Sequence, residues 1–149
     1  LNKVSPKLAG DDKKLAQHIE NQLKGSPLAG QGLGAHFVKA GRQNDVDPLA
    51  LVAISKHETS FGKLGVGVSK HMGVGAFDSS PSKARQWDGA TNQIYSGAKT
   101  FANLRSKGGS NSKASLSQQL SAVNKAGWAT DSSWHSKVGS HYNEVTKKK

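Results

Sequence analysis

The chain has 149 residues, long enough for one domain with a real core, yet only 34% of them are hydrophobic and 17 are glycine, so a modest core with many loops is expected. Cysteine is absent, which excludes disulfides, thiol nucleophiles and cysteine-based zinc sites, and no apolar run approaches the roughly 20 residues that span a bilayer. The 21 Lys and Arg outnumber the 10 Asp and Glu, a formal charge of +11 that implies attraction to a polyanion.

Nucleic acid is not the expected polyanion. The basic residues are scattered and mostly Lys, arginine occurs only at Arg42, Arg85 and Arg105, and no RNA- or DNA-binding motif interleaves them with aromatics. An anionic bacterial surface accounts for the charge equally well, and so does a plain solvated basic face. The polar opening at Leu1, without a starting Met or a signal peptide, suggests an excised domain or mature fragment.

Residues 1–10 read as a frayed leader. Asp11 and Asp12 can cap a first helix in which Leu15, Ile19 and Leu23 recur every four residues, and Gly25 ends it. Ser26-Pro27 restarts the chain, and Leu33, Phe37 and Val38 predict a second helix closing at Gly41. Asp47-Pro48 then reads as a helix start, with Asp as cap and Pro at the first turn. Leu49, Ala50, Leu51, Val52, Ala53 and Ile54 follow, apolar on every side, so this third helix belongs inside the domain.

Beyond Glu58 the pattern becomes glycine-rich and irregular from Gly62 to Ser82, which predicts loops with a small hairpin. The spacing of a phosphate-binding loop is missing there. Helical spacing returns from Asp88 to about Arg105 (Ile94, Ala98, Phe101, Leu104), from Ser115 to Ala126 (Leu116, Leu120, Val123), and from Ser132 to Val145 (Trp134, Val138, Tyr142), before a solvated Lys tail.

Among the carboxylates, Asp11, Asp12 and Asp47 sit at helix starts, Asp45 and Asp88 in turns, Glu20 on an exposed helical face and Glu144 near the tail. Three remain. Glu58 ends the buried helix, where desolvation would favour its protonated form, the state that glycosidic cleavage needs in a proton donor; the competing reading pairs it with Lys56 or Lys63. Asp78 follows the glycine-rich loop, against the alternative of a turn cap over Ser79, Ser80 and Pro81. Asp131 reads better as the cap of the last helix than as a functional acid.

No metal site follows from the six histidines, because His57-Glu58 is followed by Thr-Ser-Phe rather than by a zinc-protease motif. Serine catalysis lacks a nucleophile-elbow sequence. Of the aromatic residues, Trp128 between Gly127 and Ala129 is the best candidate for a sugar-stacking wall. Trp134 and Tyr142 read as core, and Tyr95 could face either core or cleft.

The order of these segments resembles the glucosaminidase family of bacterial and phage cell-wall hydrolases (glycoside hydrolase family 73), within the lysozyme-like superfamily. The family's catalytic E-[ST]-x-[FWY]-G context is matched by Glu58, Thr59, Ser60, Phe61 and Gly62. Its N-x-F-G-[IV]-like loop is matched loosely by His71, Met72, Gly73 and Val74. Its closing G-Y-A-T-D-x-x-Y motif is matched by Gly127, Trp128, Ala129, Thr130, Asp131 and Trp134. The similarity runs from about Ser26 to Val145.

The resemblance implies a mainly α (α+β) lysozyme-like fold, with helices around a buried central helix and a small reduced β-lobe. Residues 1–25 would form a leader and first helix, 26–146 the catalytic domain and 147–149 a basic tail. It implies hydrolysis of the β-1,4 glycan of peptidoglycan by an endo-β-N-acetylglucosaminidase with Glu58 as general acid. Muramidase or lytic transglycosylase activity on the same polymer, or a non-catalytic wall- or polyanion-binding module, are the alternatives. Asp78 is the nearest substitute for a second acidic residue, because no Glu lies between Glu58 and Glu144. Thr59, Phe61, His71, Met72, Gly73, Phe77, Tyr95 and Trp128 would bind substrate, with no metal and no cofactor. Trp128 replaces the family's usual Tyr, so that hydroxyl is lost while stacking is kept. The expected partners are peptidoglycan and anionic wall polymers, and the expected state is a monomer outside the cell, in the wall or on a virion.

Overall fold

The central helix forms as its sequence dictates. In the computed structural model, which describes residues 8–65, 67–74 and 89–147, Asp47 Oδ1 accepts the Leu49 amide at 2.9 Å and Pro48 occupies the first turn of the helix Pro48–Thr59. Leu51, Val52, Ala53 and Ile54 along it are fully buried. Five more α-helices surround it among the described residues. We number the six in chain order: α1 (Gly10–Leu23), α2 (Leu33–Asn44), α3 (Pro48–Thr59), α4 (Ala90–Lys107), α5 (Leu116–Lys125) and α6 (Trp134–Thr146).

The protein is mainly helical, and the described residues contain no strand. Where a small hairpin is expected, the described part of the glycine-rich segment holds one 3₁₀ turn, Val68–Lys70. Helix α3 packs against α2 and α6, α2 against α1 and α4, and α5 bridges α4 and α6. None of the described helices is long and apolar enough to cross a membrane.

Two expectations need correction. Helix α2 does not stop at Gly41 but runs on to Asn44, where Asp45 turns left-handed (φ 52°). Gly41 serves a close approach instead: a Cβ there would stand 2.5 Å from the Val46 carbonyl oxygen and 2.9 Å from Pro48 Cγ. Glu20 is not a solvated surface charge, because its carboxylate accepts the Gly34 amide at 2.5 Å and so caps the start of α2. Ala16, Ile19 and Leu23 of α1 join the same buried cluster as α3.

Polar side chains close the frame. The Tyr142 hydroxyl on α6 donates to Asp47 Oδ2, so one carboxylate caps α3 and ties down α6. Buried Arg105 donates to the Asp45 carbonyl at 2.8 Å and to Gln119 Oε1 at 2.9 Å, which satisfies the end of α2 and links it to α5. A capping box between Ser115 and Gln118 starts α5.

Candidate active site

Helix α3 delivers Glu58 to the edge of the core and then stops abruptly. Ser60 (φ 50°) and Phe61 (φ 61°) are both left-handed, and Gly62 follows at φ 87°. A non-glycine residue in that region costs about 1–2 kcal/mol, here repeated at two adjacent positions just past Glu58. Backbone bonds from Ser60 N to Lys56 O (2.9 Å) and from Phe61 N to Ser55 O (3.3 Å) hold the reversal. The Phe61 ring is thereby turned into the core.

The Glu58 carboxyl is half-buried, and its Oε2 accepts the Trp134 indole N–H at 2.9 Å. Burial, the larger influence, pushes its pKa up, while hydrogen bonds from the Trp134 and Trp128 indoles pull the other way. The two indoles stack, with ring centroids 5.6 Å apart and planes inclined at 24°. Pairing with Lys56 is overturned, because Lys56 reaches Glu144 at 3.0 Å. Lys63 is exposed and forms no ion pair among the described residues.

On the other side of the carboxyl lies the loop Gly67–Val74. Gly73, at φ 76°, comes so near that a Cβ would stand 3.1 Å from Glu58 Oε1. Glycine is required here both for its backbone angle and for the approach to the acid.

The expected substrate-binding residues divide accordingly. Gly73 and Trp128 flank Glu58, and Trp128 stays half-exposed. Thr59, His71 and Met72 are instead buried beneath the site. The Thr59 hydroxyl donates to the His71 carbonyl at 2.8 Å and accepts the Gly62 amide at 2.8 Å. Met72 packs against Gly97 of α4. Phe61 is likewise a core residue rather than a wall. Tyr95 is half-buried, and its hydroxyl shares a 2.9 Å hydrogen bond with His36 Nδ1. Asp78 and Phe77 lie outside the described residues.

Trp134 is the site residue that sequence reasoning missed. It does fill the core, at 1% exposure. A buried indole N–H still needs an acceptor, and a buried carboxylate nearby was the available signal. Asp131 is not the cap residue of α6, since Ser133 holds that position. Its carboxylate instead accepts the Ser133 amide at 2.9 Å and Lys137 Nζ at 2.7 Å, and Lys137, followed by Ser133, holds its pKa well below the usual range.

Chemically, the arrangement is one half-buried acid flanked by neutral donors. Burial favours the protonated carboxyl relative to a free glutamate, and the indole N–H groups steady the anion once the proton has left. Among the described residues no group of three or more His, Asp or Glu side chains is placed to hold a metal ion. No protein-family model, curated protein or solved structure matches this chain.

Proposed function

We propose that this protein is a peptidoglycan hydrolase that cleaves β-1,4 glycosidic bonds of the bacterial wall glycan, as an endo-β-N-acetylglucosaminidase on a lysozyme-like fold. The observation that carries the reading is Glu58, a carboxyl at the mouth of a buried helix, raised in pKa by burial and contacted by indole N–H groups. The ordered motifs around Glu58, Gly73 and Trp128 support the same reading.

In this mechanism Glu58 donates its proton to the bridging oxygen as oxocarbenium character develops on the sugar. Trp128, half-exposed and backed by Trp134, offers an apolar face to a sugar ring. Asp78, the substrate N-acetyl group or Glu58 itself acting as base are three ways to complete the reaction. The last would leave an anhydro sugar, as in a lytic transglycosylase. The basic surface concentrates the enzyme on anionic wall polymers, outside the cell, in the wall or on a virion.

The test is clearance of a purified cell-wall suspension, followed by mass analysis of the released fragments. Wild type is expected to clear it and Glu58→Gln to leave it turbid. Equal clearing by both would overturn the assignment. The reducing-end sugar distinguishes glucosaminidase from muramidase, and an anhydro end identifies the transglycosylase route.

A further inference from the structure

The loop that covers one side of Glu58 is fastened from below by a buried histidine. His71 is 0% exposed, and its ring lies between two helices: Nδ1 meets Ser55 Oγ of α3 at 2.7 Å, and Nε2 meets the Ala90 carbonyl of α4 at 2.8 Å. A carbonyl can only accept, so Nε2 carries a proton. Burial lowers the pKa of the ring to about 4 and keeps it neutral above that pH. Nδ1 is then bare and accepts the Ser55 hydroxyl.

Neighbouring contacts extend the fastening. The His71 carbonyl accepts the Thr59 hydroxyl, and Gln93 of α4 receives the Met72 and Val74 amides at 3.2 and 3.1 Å. Ser55 and Thr59 lie on the same helix as Glu58, one before it and one after it. Loop and acid are thus held in register through a shared scaffold. Two residues past His71 the chain reaches Gly73, whose backbone shields Glu58 Oε1.

We propose that His71, held by Ser55, is a positioning residue that sets the proton affinity of Glu58 by pressing the Gly73 loop against its carboxyl. It acts without touching substrate. The inference rests on the reading of Glu58 as the proton donor, but its physical content is a coupling between two side chains that can be measured separately. Without the Ser55 hydroxyl, the bare Nδ1 loses its partner in a dry environment and the loop loosens. Water then reaches Glu58, and its pKa falls toward that of an ordinary glutamate.

The experiment compares Ser55→Ala and Ser55→Thr in the whole chain, with His71→Gln as a second disruption. The Glu58 carboxyl is titrated by ¹³C NMR and wall hydrolysis is followed against pH. Ser55→Ala is expected to lower the Glu58 pKa, to move the alkaline limb of the rate profile to lower pH, and to reduce kcat roughly tenfold with KM little changed. Ser55→Thr, which keeps the hydroxyl, restores all three. An unmoved Glu58 titration in folded Ser55→Ala or folded His71→Gln overturns the proposal. If wild type itself releases no glycan, the hydrolase reading fails, while the titration alone still decides whether His71 governs Glu58.

Discussion

At the residue scale, two opposed influences act on Glu58, and Trp134 supplies one of them. Replacing Trp134 by Phe keeps most of the packing and removes the N–H donor, so the anion loses support and the Glu58 pKa rises further. The alkaline limb of the activity profile should move to higher pH, with kcat down on the order of tenfold; a limb that stays in place would contradict this. His71 gives a second prediction. Its pKa in the folded chain, about 4, lies below the unfolded value, so below about 6.5 the unfolded state takes up a proton that the folded state refuses. Stability from this group is present above that pH and is lost as pH falls toward 4. Imidazole ¹⁵N spectra should show His71 still neutral and protonated at Nε2 as pH passes the ordinary histidine value, with charging only as pH approaches 4; protonation near the ordinary histidine pKa would be evidence against it. Glu58 was legible in the sequence because a helix cap and a run of apolar residues place it. Trp134 was not, because spacing with Val138 and Tyr142 marks it as core, which it is, without revealing what its N–H meets.

At the element scale, the helices were legible wherever local chemistry sets their ends. Asp47-Pro48 starts α3, and the helix expected from Ser115 is capped by Ser115 itself. Where an end depends on a distant partner it was not. Gly41 looks like a stop but serves the packing of α2 against the Val46–Pro48 turn. The loop over Glu58 likewise takes its shape from His71, whose partners lie on α3 and α4, and from Gln93 of α4, which accepts the Met72 and Val74 amides. The Asp47–Tyr142 contact binds the start of α3 to α6. Tyr142→Phe should lower stability by about 1.5–3 kcal/mol, the usual loss for a hydrogen bond to a charged group. Chemical denaturation checks the value, and no measurable loss would mean that the helices hold together without this bond.

At the scale of the whole molecule, charge was the plainest feature of the sequence, and the structure sharpens its distribution. Asp12, Asp131 and Glu144 are occupied by Arg42, Lys137 and Lys56, and Glu20, Asp47 and Glu58 accept internal hydrogen bonds. Lys24, Lys39, Lys63, Lys99 and Lys125 are exposed and pair with no carboxylate among the described residues. With exposed Asp11 and Asp45 set against these lysines, the charge of the described surface is mainly positive. Co-sedimentation of inactive Glu58→Gln with purified walls should weaken as salt rises from about 0.05 to about 0.5 M, because screening shortens the reach of exposed charges. Binding indifferent to salt would assign wall affinity to the groove instead.

The measurement that bears most directly on the whole account is the initial rate of glycan release by Glu58→Gln, taken together with its thermal stability across pH. Glutamine can keep the Trp134 hydrogen bond, but it has no proton to give. The folded-state pKa of Glu58 is raised, so its ionisation disfavours the wild-type fold as pH rises, and the variant lacks that penalty. The account predicts release reduced by roughly 10²–10⁴-fold, with a Tm equal to wild type in acid and at least as high at neutral pH. A folded variant that releases glycan at the wild-type rate would contradict it.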